Sequence, residues 1–144
     1  MPIRPLRHDE LDALLELYTH LFTQDDPLPP RARVVEVWDQ IQRSPWHEVL
    51  GLEVDSRLVA CCTLTITPNL TRAARSWGQI ENVVTHASYR RRGLGQALIK
   101  ETLARAWQKG CYKVLLMTGR QDAHHFYELC GFKQALKTGF VAHP

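Results

Sequence analysis

Apolar residues at Leu11, Leu14, Leu15, Tyr18, Leu21 and Phe22 follow the i, i+3, i+4, i+7 spacing of a helix with one buried face. Asp9, just ahead of them, is placed to cap that helix. The segment from Thr23 to Pro30 carries Asp25, Asp26 and the prolines Pro27, Pro29 and Pro30, so it reads as a stiffened loop. A second helical stripe, Val34, Val37, Trp38 and Ile41, ends near Ser44-Pro45. Upstream, Ile3 to Arg7 is short enough for an edge strand.

The period then changes to two. Trp46 to Val54 and Arg57 to Thr67 predict two strands joined by a tight turn at Asp55-Ser56. In the second, Leu58, Ala60, Cys62, Leu64 and Ile66 alternate with Val59, Cys61, Thr63, Thr65 and Thr67, a half-buried strand with a hydroxyl-rich face. Adjacent Cys61 and Cys62 then point to opposite faces. Pro68 to Ser76 is a polar loop leading to Trp77 and a strand rich in β-branched residues from Ile80 to Thr85. A helix without Gly or Pro follows Gly95 to about Gln108, with Gly110 as its stop. Lys113 to Thr118 reads as an apolar strand covered on both faces. Ala123 to Cys130 reads as a short helix ended by Gly131, and Lys133 to Val141 as a last strand. The order β-α-α-β-β-β-α-β-α-β is an α/β arrangement with a mixed sheet, hairpins first and a right-handed crossover later.

Between the Ile80 strand and the following helix lies Tyr89-Arg90-Arg91-Arg92-Gly93-Leu94-Gly95. Two glycines at the mouth of a helix let main chain approach a ligand where a Cβ would intrude. The first-turn N–H groups there have no intrahelical partner and sit at the positive end of the helix dipole. A mouth of this kind, from Arg91 to Gln96, binds anions.

Composition narrows the partner. The chain of 144 residues fits one domain, 1–144, and its net charge of +3 is small, with the local excess at Arg90, Arg91 and Arg92. The basicity is aimed at a small polyanion, because duplex nucleic acid needs a broad basic face; no nucleic-acid partner is expected. No stretch has the apolar length of a membrane span, and Met1-Pro2-Ile3-Arg4-Pro5 lacks a signal-peptide core, so no membrane partner and a cytoplasmic protein are expected. Cys61, Cys62, Cys111 and Cys130 have no C-x-x-C spacing and read as reduced structural thiols. His124 and Glu128 share a helix face beside His125 but lack a third ligand, so no metal is expected. His86 reads as a loop cap.

Arg90-x-x-Gly93-x-Gly95 matches the (Gln/Arg)-x-x-Gly-x-(Gly/Ala) motif, and Phe126-Tyr127-Glu128-Leu129-Cys130-Gly131-Phe132 matches Phe-Tyr-Glu-x-x-Gly-Phe. Through these two signatures the chain resembles the GNAT superfamily of acyl-CoA-dependent N-acyltransferases. The resemblance implies the GNAT fold, in which two central strands splay apart and the acyl-pantetheine lies in the gap. It implies acetyl-CoA as acyl donor, with Arg90, Arg91, Arg92, Gly93, Leu94, Gly95 and Gln96 around its diphosphate. By offset from Arg90, a main-chain N–H of Val83, Val84 or Thr85 is the oxyanion donor. Tyr127 is implied as the acid that protonates the departing sulfur, and Glu81 as the base, directly or through water. The acceptor implied is a small-molecule primary amine, and relatives of this kind often form homodimers.

Gly78-Gln79-Ile80-Glu81-Asn82, Gly110-Cys111-Tyr112-Lys113 and Phe126-Tyr127-Glu128 resemble the glucosamine-6-phosphate N-acetyltransferase branch. That branch has an acid where Asn82 stands and an asparagine where Ala123 stands, so its substrate is not transferred. Asn69, Thr71, Arg72 and Arg75 are candidates for contacting an anionic acceptor and Asp25 and Asp26 for a cationic one; Glu81 is a further candidate for contacting the acceptor. Two other readings stay open: a non-catalytic acyl-CoA-binding sensor or assembly module, and a dinucleotide-binding domain. The last is disfavoured because Leu98 stands where its fingerprint wants a small residue.

Overall fold

The computed structural model describes residues 2–22, 24–134 and 136–144. In chain order the elements are β1 (Ile3–Pro5), α1 (Leu11–Tyr18), α2 (Arg31–Arg43), β2 (His47–Val54), β3 (Arg57–Thr67), β4 (Trp77–Thr85), α3 (Leu94–Gln108), β5 (Val114–Leu115) and α4 (His124–Leu129). The strands form one mixed sheet in the order β1-β2-β3-β4-β5, antiparallel except for the β4–β5 pair. Asp55 and Ser56 both have positive φ (49° and 63°), the twist a two-residue hairpin between β2 and β3 needs.

Each face of the sheet has its own apolar layer. Leu6, Leu11, Leu14, Leu17 and Trp38 pack with Val49, Cys61 and Val84 beneath α1 and α2. On the other face Leu94, Leu98, Ile99 and Ala106 of α3 pack with Leu50, Leu52, Cys62, Leu64, Ile66 and Ile80. Leu98 and Ile99 are fully buried, and each such side chain is worth roughly 1.5–3 kcal/mol. Cys61 and Cys62 fall in opposite layers, as alternation requires, and all four cysteines are free.

Several expectations are corrected. The first helix ends at Tyr18 and runs on only as turns, so Phe22 is 52% exposed while Leu17, off the expected stripe, is buried. Asp9 lies inside a short 3₁₀ turn, and Glu10 takes the capping role, its carboxylate accepting from the Arg7 N–H at 2.6 Å. β5 has two residues where six were expected: Leu116 packs on the core but Leu115 and Met117 face outward, because β4 flanks only one edge and soon diverges. No strand forms among the described residues of 133–141, and Ala135 lies outside them. Leu136, Phe140 and Val141 are exposed there, and strands that find no partner and bury no side chains are not stable. Within the expected loop before β4, Arg72, Ala73 and Ala74 form a turn of left-handed residues (φ 55°, 62° and 57°).

Candidate active site

The sheet is irregular where β4 matters most. Glu81 stands opposite Thr63 and Val84 opposite Cys61, so three steps along β4 match two along β3, which is a β-bulge. Asn82 takes the bulge with φ +52°. Simple alternation, which sets Asn82 opposite Glu81, therefore fails here, and both are exposed. Burial pushes the Tyr18 phenol up, while the nearby polar side chains of Thr63 and Asn82 oppose it, which places α1 over the bulge.

β4 pairs with β5 only at Gly78 and Gln79, opposite Val114 and Leu115. From Ile80 onward the edge facing α4 has no strand partner among the described residues, and this is the splay. The His86 N–H bonds the Val59 carbonyl of β3 at 2.8 Å. Main-chain groups alternate along a strand, so the Thr85 N–H and C=O point away from β3 into the gap. Consistently, the Thr85 carbonyl accepts from Arg90 Nε at 3.1 Å.

At the far end of the gap stands the mouth of α3. Gly93 begins it in the left-handed region (φ +74°), where a Cβ would be strained. The first intrahelical bond runs from the Ala97 N–H to the Gly93 carbonyl at 3.1 Å, leaving the N–H groups of Leu94, Gly95 and Gln96 ahead of it. The three arginines divide their labour. Arg90 is committed to the Thr85 and His20 carbonyls, the latter at 2.9 Å. Arg92 bonds the Ser88 carbonyl at 3.0 Å and covers the Tyr89 ring. Arg91 lines the gap itself and, among the described residues, has no internal partner.

Tyr127 reaches the same gap from α4. The signature Phe-Tyr-Glu-x-x-Gly-Phe has a local cause: Gly131, at φ +100°, ends α4, with its N–H bonded to the Glu128 carbonyl and the Phe132 N–H to the Tyr127 carbonyl. The Phe132 ring then meets the Tyr127 ring edge-on at 6.1 Å, fixing the phenol's direction. Burial pushes the phenol pKa up from 10, with Cys130 adding to it and Arg120 opposing, so the hydroxyl keeps its proton.

The gap is a cleft of ≈ 340 Å³ that brings together Val83, Val84, Thr85, Arg90, Arg91, Gly93, Leu94, Gly95, Gln96 and Tyr127. Arg92 is left outside. Glu81 also lies off this lining, exposed on β4 with Gln79 Nε2 donating to it at 3.1 Å. Sequence reasoning missed His20, Leu21, Arg120 and Asp122 on the walls. No motif marks them, since they come from the end of α1 and from a loop of no fixed pattern. Asn69, Thr71 and Arg72 lie apart from the cleft, where Asn69 Nδ2 pins the left-handed turn through Thr71 and the Arg75 carbonyl at 3.0–3.1 Å. There Arg75 and Lys113 approach the Tyr112 ring (5.3 and 5.2 Å), and the Tyr112 phenol is held below its usual range by Lys113, with Arg72 and Lys137 adding to it. A larger depression of ≈ 470 Å³, lined by Glu36, Asp39, Gln40, Arg43 and Ser44, is built by one helix and its cap and brings no elements together. Among the described residues no set of three His, Cys, Asp or Glu could hold a metal, and no helix is long and apolar enough to cross a membrane.

Residues 11–132 match the model of the acetyltransferase (GNAT) family. The glucosamine 6-phosphate N-acetyltransferase of Trypanosoma brucei brucei is 36% identical over 134 residues, covering 92% of this chain and 89% of that one. A putative acetyltransferase from Agrobacterium tumefaciens str. C58 superposes with a TM-score of 0.93 at 38% identity, covering both chains fully (100% and 100%). A transcriptional regulator from Bacillus halodurans C-125 superposes at 0.84 with 28% identity, covering 99% of this chain and 98% of that one.

Proposed function

The chain belongs to the acetyltransferase (GNAT) family, and from that premise we propose that it moves an acetyl group from acetyl-CoA to the primary amine of a small-molecule acceptor by direct attack on the thioester. The observation that carries this reading is the convergence, in one cleft, of the α3 mouth, the unpaired edge of β4 and the Tyr127 phenol. The mouth is suited to the donor's diphosphate, with Arg91 adding charge. A main-chain N–H of Val83, Val84 or Thr85 on the unpaired edge would meet the thioester oxygen, and one such oxyanion donor is worth on the order of 3 kcal/mol. As the amine nitrogen bonds to the carbonyl carbon, the C–S bond breaks and the leaving sulfur takes the Tyr127 hydroxyl proton. The excess proton on nitrogen passes through water to exposed Glu81, and exchange with solvent returns Glu81 and Tyr127 to their starting protonation.

The acceptor in the name of the trypanosomal relative, an amino-sugar phosphate, carries both an amine and an anionic group, and supports an acceptor of that class. A second reading is a non-catalytic acyl-CoA sensor, favoured by the likeness to the Bacillus regulator.

Incubation with acetyl-CoA and a panel of amines, read by thiol release and product mass, separates the two. Transfer to an amine is expected. Binding of acetyl-CoA without thiol release would overturn the enzymatic reading in favour of the sensor.

A further inference from the structure

We propose that His20 and His86 are positioning residues that latch the end of α1 to the donor loop, and that the latch closes only when both imidazoles are neutral. The proposal rests on the acyl-donor reading of the cleft. His20 lies just beyond α1, and its ring faces the His86 ring at 4.0 Å. Its Nδ1 accepts the Ala87 N–H at 3.2 Å, and its carbonyl accepts Arg90 Nη2 at 2.9 Å. His86 caps the turn that follows β4, its Nδ1 accepting the Ser88 N–H at 3.1 Å. From there the contact runs on: His86 meets Tyr89 edge-on at 5.5 Å, and Arg92 covers Tyr89 at 5.0 Å. The loop that opens into α3, including Arg91 in the left-handed region, is thus held from the α1 side before any donor arrives.

The chemistry of the latch excludes a charged ring. Both contacts made by His86 nitrogens are to donors, the Ser88 N–H and Arg57 Nη2 at 3.0 Å. A neutral imidazole offers one acceptor nitrogen; a protonated one offers none. Protonating His20 at Nδ1 likewise turns the acceptor of the Ala87 N–H into a donor. The charged groups facing the pair are Arg57 from β3, Arg90 from the loop and Glu16 from α1, two cations against one anion. Burial, then His20 and Arg57, lower the His86 pKa from 6.5, in the same sense.

The test compares His20→Phe, which keeps a ring without an acceptor, with His20→Asn, which offers an acceptor oxygen that does not titrate, and with the double variant His20→Asn/His86→Asn. Affinity for acetyl-CoA is measured by calorimetry and kcat at saturating donor, at pH 7.5 and 5.5. His20→Phe is expected to weaken donor binding roughly fivefold to tenfold at pH 7.5, the loss of one hydrogen bond that holds the loop, with kcat at saturation within about twofold. His20→Asn restores most of that affinity. The wild-type protein weakens between pH 7.5 and 5.5, and the double variant weakens less; the donor's own phosphates titrate equally in both and cancel. Unchanged affinity in His20→Phe, or an undiminished pH effect in the double variant, overturns the latch and leaves the acetyltransferase reading standing. A wild-type protein that binds no acetyl-CoA overturns both.

Discussion

Phe126 closes directly on Gly95: a β-carbon at Gly95 would lie 3.3 Å from Phe126 Cζ and 3.4 Å from Thr85 Oγ1. At this glycine α3 meets side chains of α4 and β4, and no positive φ is needed there. Gly95→Val is expected to cost about 1–3 kcal/mol through overpacking and to weaken donor binding as Phe126 moves. Thermal unfolding and donor titration read the two effects. Gly95→Val/Phe126→Leu should recover part of the loss, giving a coupling of about 0.5–3 kcal/mol; strict additivity would show that the contact does not matter.

Tyr127→Phe is expected to bind acetyl-CoA normally and to lose turnover by about 10²–10⁴-fold where chemistry limits the rate. The raised phenol pKa adds a second outcome: any alkaline decline of wild-type kcat from this group falls at higher pH than that of an ordinary phenol. Full turnover in the phenylalanine variant would remove Tyr127 from the reaction.

Arg4 clamps Glu10 with two bonds of 2.8 Å and reaches Glu53 at 2.8 Å, tying β1 to the start of α1 and to β2. The hydrogen bond from Arg4 holds the Glu10 carboxyl down at about 2, against 4.5 when unfolded. A depressed carboxylate stabilises the fold above its unfolded value, and that contribution is lost as pH falls from 4.5 through 2. Urea midpoints should decline over this window in the wild-type protein and decline less in Glu10→Gln.

The fold was legible in the sequence wherever a pattern had a local cause. The Asp55-Ser56 turn, a helix behind the basic turn, which begins at Leu94 rather than after Gly95, and the Gly131 stop all follow from residues adjacent in sequence. The failures came from longer-range effects. β5 is short because β4 leaves it after Gln79, which no periodicity in Val114 to Met117 records. Asn82 changes face because one residue of β4 has no counterpart on β3. His20 reaches the cleft because the end of α1 packs against a loop 67 residues away along the chain. A helical stripe cannot announce that.

Spatial and sequential order of the strands are identical, and this bears on how the protein is made. On the ribosome each of the first four strands can add to its predecessor as it emerges, through contacts between near neighbours in sequence. At that moment α1 and α2 cover one face, while Leu50, Leu52, Leu64, Ile66 and Ile80 on the other await α3. Until α3 lands, the nascent chain presents a bare oily surface that holdase chaperones would recognise. The mouth proposed to hold the acyl donor, at the start of α3, thus emerges only after the first four strands, with β5 and α4 still to follow.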